Sequence, residues 1–455
     1  MPIAFATGGT LTGTGTADEP YQIFDIDDLK AFRDKVNGGE TSACGKLMAD
    51  IVLNPGTFDE EGVYTPASDE SAEQWISIAA GDVSYSGTFD GDNHTISGLY
   101  IDSTDGSQGF FGSTNSSAVI KNLGIIDSFV SGGDYIGGVV GTAIESSVTN
   151  CYYSGVVCGN ETVGSIAGYN SGSIINCHSD GAVSGSQYIG GIVGYSMGSL
   201  GDSDTEDYKL SYISNCYHKG AVSGDNYVGG AIGLNSFYSI VENTYHIGNV
   251  SATVGFAGGV VGVNDGNYPG HPDNGQVINT YHIGTVSGSD YIGGVVGFNY
   301  GDVTNSFYRL GDAENNDLGT AISEDDFAVQ TTFTDWDFDT VWHINNELKR
   351  PILTAIPEIE ENVELGFKSL SYEKTESGYD VTGVLTESVE DAVLVAAIYD
   401  ENNRLISIDH TDIIDETQDT VSVSTTIQGT YIKVFLWDDI AKMTPLCESD
   451  ETNIE

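Results

Sequence analysis

Three histidines recur in one local phrase. His218 closes Asn215-Cys-Tyr-His, His246 closes Asn243-Thr-Tyr-His and His282 closes Asn279-Thr-Tyr-His. If these phrases stack, the imidazoles lie about 5 Å apart, a spacing open to transition-metal chelation. No carboxylate at a fixed spacing completes a ligand set. The stronger reading is a polar stripe shielded by the surrounding acids, so no metal ligand is assigned. Cysteines stand at 44, 151, 158, 177, 216 and 447, without a C-x-x-C pair. Cys151, Cys177 and Cys216 share a position that Thr244, Thr280 and Ser306 fill later. A small side chain therefore suffices there. Stacked strands would hold the Cβ atoms about 4.8 Å apart with parallel vectors, outside easy disulfide geometry. Free, mostly buried thiols are expected.

Catalytic signatures are lacking. The chain has no H-E-x-x-H, G-x-S-x-G, phosphate-binding glycine loop or EF-hand spacing. A polysaccharide lyase needs a base beside Ca²⁺-binding acids, and Lys209, Lys219 and Arg309 form no repeated set. A hydrolytic carboxylate pair carries no signal among 67 acids. Those acids face only 15 Lys and Arg in 455 residues, so the net charge is 15 − 67 = −52. Such a surface repels nucleic acid and anionic membranes. No run of about 18 apolar residues spans a bilayer. Ca²⁺ is the one cofactor the surplus carboxylates suggest.

The elements that would position these residues follow from a repeat. Tyr135-Ile-Gly-Gly-Val-Val-Gly141 returns at 188–194, 227–233 and 291–297, and in altered form at 163–168 and 256–262. It alternates with phrases opening on Asn150, Asn176, Asn215, Asn243, Asn279 and Asn305, spaced 26, 39, 28, 36 and 26 residues apart. A period near 26 marks a solenoid. Short Val/Ile/Tyr runs broken by Gly, Asn and Asp, without helical periodicity, make it a β solenoid. The fold class is therefore all-β: a parallel β-helix, expected right-handed, whose asparagines form a structural ladder at a turn. Both long insertions fall at one corner of the coil, a common place for a binding face. They are 199–212, with Asp202, Asp204, Asp207 and Tyr208, and 265–275, with Tyr268 and His271.

The alternation of Y-I-G-G-V-V-G with N-C-Y-x-x-G-x-V resembles the GLUG-motif repeats of bacterial surface and secreted proteins. The likeness covers roughly 15–355, including Phe89-Asp-Gly-Asp-Asn-His-Thr-Ile-Ser-Gly-Leu99 before the repeats and Trp336-Asp-Phe-Asp-Thr-Val-Trp-His-Ile344 after them. It implies an adhesin-like, extracellular β-helix and is poorly specific for activity. Val434-Phe-Leu-Trp-Asp438 and Met443-Thr-Pro-Leu-Cys447 resemble the fibronectin-like C-terminal modules of secreted clostridial-type proteins.

The expected organisation is a leader remnant at 1–14, where Ala4-Phe-Ala6 has the look of a cleavage site. An N-terminal cap and first coils follow at 15–125, repeats at 126–320 and a C-terminal cap at 321–356. A linker at 357–362, a small β-sandwich at 363–447 and an acidic tail at 448–455 complete it. Ile26, Leu29, Phe32 or Arg33, and Val36 follow helical spacing and predict a helix over the first coil, with Gly38 as its stop. The Trp336–Ile344 aromatics are expected to plug the last coil. The expected function is a secreted or surface-displayed, non-catalytic recognition protein for a glycan or a host or cell-surface protein. The alternatives are a β-helix polysaccharide lyase or glycoside hydrolase, and a structural spacer or stalk.

Overall fold

The computed structural model describes residues 11–59, 63–66, 71–199, 208–266, 274–313, 316, 318–356 and 358. Beyond these it describes the segments 367–375, 378–389, 392–399, 405–413, 416–424, 431–437 and 450–453. The chain divides into two compact units, Met1–Pro357 and Glu358–Glu455.

The first unit is a parallel β-helix. One storey shows the plan. Ser173–Ile175, His178–Asp180 and Val183–Ser184 lie in a broad sheet, Gln187–Gly190 in a second sheet and Val193–Ser196 in a third. Each strand pairs in parallel with its copy in the next storey. In the second sheet Ile136 meets Val163, Val163 meets Ile189 and Ile189 meets Val228. In the third, Val140 meets Ala167, Ala167 meets Val193 and Val193 meets Ile232. All eight point inward and are fully buried, so each storey adds a layer to one continuous apolar core.

The glycines of the repeat set how closely the sheets approach. A Cβ on Gly233, the last glycine of its phrase, would sit 2.5 Å from the Tyr188–Ile189 peptide of the storey before. A Cβ on Gly230 would sit 2.1 Å from the His246 ring. Side chains are excluded at both positions by backbone and ring contact.

The asparagine corner is a column at positive φ, from Asn150 (53°) through Asn176 (54°), Asn215 (53°), Asn243 (47°) and Asn279 (53°) to Asn305 (48°). Asparagine tolerates this left-handed conformation better than other side-chain-bearing residues. Asn176 Nδ2 donates to Asn150 Oδ1 at 3.2 Å, and Asn215 Nδ2 to Asn176 Oδ1 at 3.1 Å. Asn279 donates to Asn243 at 3.4 Å, whereas Asn215 Oδ1 is buried without a partner. Asn279 Oδ1 is likewise buried without a partner, so the amide chain is interrupted between Asn215 and Asn243 and again between Asn279 and Asn305. A second amide column, unread in the sequence, lies inside. Buried Asn235 donates to Asn264 at 2.8 Å, and Asn264 to Asn299 at 2.7 Å.

The helix Ile26–Asn37 closes the N-terminal end. Asp25 caps it by accepting from Asp28 N, and Gly38 N–H bonds back to Asp34 O. Leu29, Phe32 and Val36 are fully buried, with Phe32 5.5 Å from Phe89 of the core. The C-terminal aromatics behave differently from the expected plug. Trp336 and Trp342 lie against the outside of the broad sheet, on the rings of Tyr281, Tyr245 and Phe307. Their indoles donate to Asn305 O and Asn243 Oδ1. Every second broad-sheet residue faces outward, so the Asn-x-Tyr phrase supplies a stacked outer ring column that needs cover. The end of the sheet is instead extended by Thr320–Ile322, paired with Phe307–Arg309.

The second unit has two antiparallel sheets. One holds Phe367–Lys374, Gly378–Val389 and Glu416–Ser424. The other holds Leu405–Ile413, Ala392–Tyr399, Tyr431–Trp437 and Asp450–Asn453. Residues 450–453, read as tail, pair with 431–434.

Candidate recognition face

The histidine column is interior. His218, His246 and His282 are fully buried, with ring centroids 5.4 and 5.1 Å apart and planes within 12°. It is not a surface stripe among acids. Facing rings also keep their in-plane lone pairs from converging on one ion. His218 Nδ1 shares a hydrogen bond with Ser179 Oγ at 2.9 Å, and His246 Nε2 lies 3.0 Å from Gly220 O. Burial, then the neighbouring imidazole, pushes His246 down to about 3. Burial alone dominates at His282, pushed down to about 4. All three are neutral core residues at neutral pH.

The column fits the glycines across it. Rings of Tyr153, His218, His246, His282 and Tyr308 pack on Gly138, Gly191, Gly230, Gly259 and Gly294. Where Ser165 replaces glycine, the facing residue shrinks to Ser179, and both hydroxyls bond to Gly191 O. Ring-on-glycine and serine-on-serine are two fillings of one volume.

The thiols are likewise interior. Cys44, Cys151, Cys177 and Cys216 are buried and Cys158 is half-buried, all free. Burial raises the Cys151 and Cys177 thiols well above their ordinary range. Cys447 lies outside the described residues, as do Asp202, Asp204, Asp207, Tyr268 and His271. Of the insertion-face candidates the structure places Tyr208, stacked on Tyr238 at 4.3 Å. Beside it Ser199 and Lys209 both bond Glu145, which holds that carboxyl below its usual range. Among the described residues, no group of three or more His, Cys, Asp or Glu is arranged to hold a metal. No described helix is long and apolar enough to cross a membrane.

An outward aromatic strip is the strongest candidate site. The first residue of the Y-I-G-G phrase turns out of the coil at positive φ: Tyr135 (63°), Tyr188 (58°), Tyr227 (56°) and Tyr291 (48°). A bulky residue there is strained, which marks the position as one to explain. Phe256 completes the run. Centroids are 4.8 Å apart for Tyr188–Tyr227, 5.1 Å for Tyr227–Phe256 and 5.0 Å for Phe256–Tyr291. At these separations neighbouring rings overlap like shingles. Thr162 interrupts the run between Tyr135 and Tyr188 and is buried. Tyr169, from the third sheet, stands edge-on to Tyr135 at 6.4 Å and to Tyr195 at 5.5 Å. Phe298 and Tyr300 widen the far end.

Tyr135 (43%) and Tyr291 (58%) are both exposed, one near each end of the run of leading rings, and Tyr300 is exposed beside Tyr291. Five steps of about 4.8 Å separate them, on the order of 24 Å. A polar column runs alongside, in the register Asp134, Glu161, Gln187, Asn226. Burial raises the Tyr169, Tyr188 and Tyr195 phenols, which stay neutral. The strip therefore pairs uncharged ring surface with hydrogen-bonding groups along the coil axis. The sequence signal was the leading Tyr of each phrase.

No protein-family model matches the chain. Halomucin of Haloquadratum walsbyi is 30% identical over 161 residues, 34% of this chain and 2% of the relative. A Gly-rich membrane protein of Evansella cellulosilytica is 33% identical over 120 residues, 24% of this chain and 13% of the relative. The chain thus corresponds to a small part of each.

Proposed function

We propose that this chain is a secreted or cell-surface, non-catalytic recognition protein, and that its aromatic strip holds a linear, uncharged glycan. The carrying observation is the overlapping ring run from Tyr188 to Tyr291 beside a polar column. Pyranose rings present C–H faces to aromatic surface and hydroxyls to carboxylates and amides. An extended polysaccharide advances by about one strand spacing per sugar, so successive sugars meet successive storeys. The net charge of −52 disfavours uronates, sulfates and sialic acids. Two relatives named halomucin and Gly-rich membrane protein support a surface setting. The GLUG-type and fibronectin-like resemblances belong to the same proposal.

A glycan array, probed with and without Ca²⁺, tests it. Binding to neutral linear glycans is expected, reduced by Tyr135→Ser combined with Tyr291→Ser. Absence of all binding, or hydrolysis of a bound polysaccharide, would overturn it.

A further inference from the structure

Four Asn-x-Ser/Thr triplets occur, at Asn93-His-Thr95, Asn115-Ser-Ser117, Asn160-Glu-Thr162 and Asn249-Val-Ser251. The triplet is the acceptor signal for N-linked oligosaccharide on an exported chain. The fold sorts the asparagines. In the corner column the residue two places on is the outward ring, as in Tyr152, His178, Tyr217 and Tyr245, so no ladder asparagine carries the triplet.

The four triplets differ in what their amides do. Asn93 is exposed, at φ 66°, in the register irregularity between Asp90 and His94 of the strand Thr88–Ser97. Asn249 is exposed too, in the turn after Gly248. Its Oδ1 accepts from Thr285 N at 3.1 Å and Thr285 Oγ1 at 2.8 Å, which commits the oxygen to the protein, while Nδ2 has no hydrogen-bond partner among the described residues. Asn115 is half-buried, with Oδ1 taken by Ser117 N. At Asn160 the nitrogen itself donates to Asp134 Oδ1 at 3.0 Å, and Thr162 of its triplet is 4% exposed.

We propose that Asn93 and Asn249 are N-glycosylation sites and that Asn115 and Asn160 are not. This rests on the surface reading above, because the modification needs export. The donor is an oligosaccharide joined through phosphate to a membrane lipid. The Asn Nδ2–sugar C1 bond forms, the C1–O bond to phosphate breaks, Nδ2 loses one proton and the lipid phosphate leaves. Asn249 lies between the broad-sheet strands Ser239–Ile247 and Val250–Ala252, whereas the leading tyrosines stand in or just before strands of the second sheet, so an oligosaccharide there decorates the coil without occupying the strip.

The test is glycopeptide mass spectrometry on the full chain isolated from its own cells. The same chain made in a bacterial cytoplasm lacking lipid-linked donors serves as the unmodified reference. The expected result is a sugar-mass increment on peptides containing Asn93 and Asn249, lost in Asn93→Gln and Asn249→Gln, and none on those containing Asn115 or Asn160. Unmodified Asn93 and Asn249 peptides would overturn the assignment. Equal occupancy at all four would overturn the sorting by structure. Surface labelling of intact cells separates the two failures: an accessible but unmodified chain ends this inference and leaves the surface reading standing.

Discussion

At the scale of single residues, the filling of the core column carries the sharpest consequences. Gly230→Ser places new atoms where the His246 ring and Gly259 O lie within 2.1 Å. It is expected to cost about 3 kcal/mol. Adding His246→Ser reproduces the Ser165–Ser179 filling and should recover more than half of that loss. Chemical denaturation of both variants measures the coupling; equal losses would refute the shared volume. The same column predicts acid sensitivity. His246 and His282 are depressed to about 3 and about 4, so between pH 6.5 and those values the unfolded chain binds more protons than the folded one. Stability is therefore full above pH 6.5 and falls as pH drops through that window, by about 1.4 kcal/mol per unit for each histidine. His246→Tyr introduces the ring that Tyr153 and Tyr308 already place in the same column, and should flatten the melting temperature against pH. An unchanged slope would mean that this imidazole does not govern it.

At the scale of elements, the storey is the unit of construction. Deletion of residues 151–176 removes one whole turn and joins Asn150 to Cys177, leaving every column aligned. That variant should fold cooperatively with parallel-β circular dichroism. Deletion of 151–163 removes half a turn, reverses which groups meet and should abolish cooperative unfolding. Equal behaviour of the two would contradict the register. Much of this was legible beforehand. The asparagine spacing gave the coil, and Leu29, Phe32 and Val36 gave the capping helix. What stayed hidden depended on facing. Period-two patterning places His218 and Tyr217 on opposite faces, but composition alone does not say which face is the core. The histidines therefore read as a surface stripe, and the tryptophans as an end plug rather than a cover for the outer rings. The aromatic strip was missed because its tyrosines sit at positive φ in or just before the short second-sheet strands, where the usual alternation of facing does not apply.

At the scale of the whole molecule, charge and the strip act together. With 67 acids against 15 bases, most carboxylates lack a basic partner, and the eight ion pairs described are largely exposed. Mutual repulsion opposes the compact state and is screened by salt. The melting temperature should rise by several degrees between about 0.1 and 1 M KCl, as the screening length falls from ~10 to ~3 Å. A flat or falling curve would show that the acids are already neutralised locally. Because a glycan bound through rings and neutral hydrogen bonds owes little to charge, its affinity should change less than twofold over the same range. The most direct measurement is calorimetric titration of the full chain with the best glycan from the array, set beside the variant Tyr135→Ser/Tyr227→Ser/Tyr291→Ser. The account predicts at least a tenfold weaker Kd for the variant while it still unfolds in one cooperative transition well above the titration temperature, since each ring contributes about 1 kcal/mol to binding. An unchanged Kd in that variant would place recognition elsewhere on the molecule.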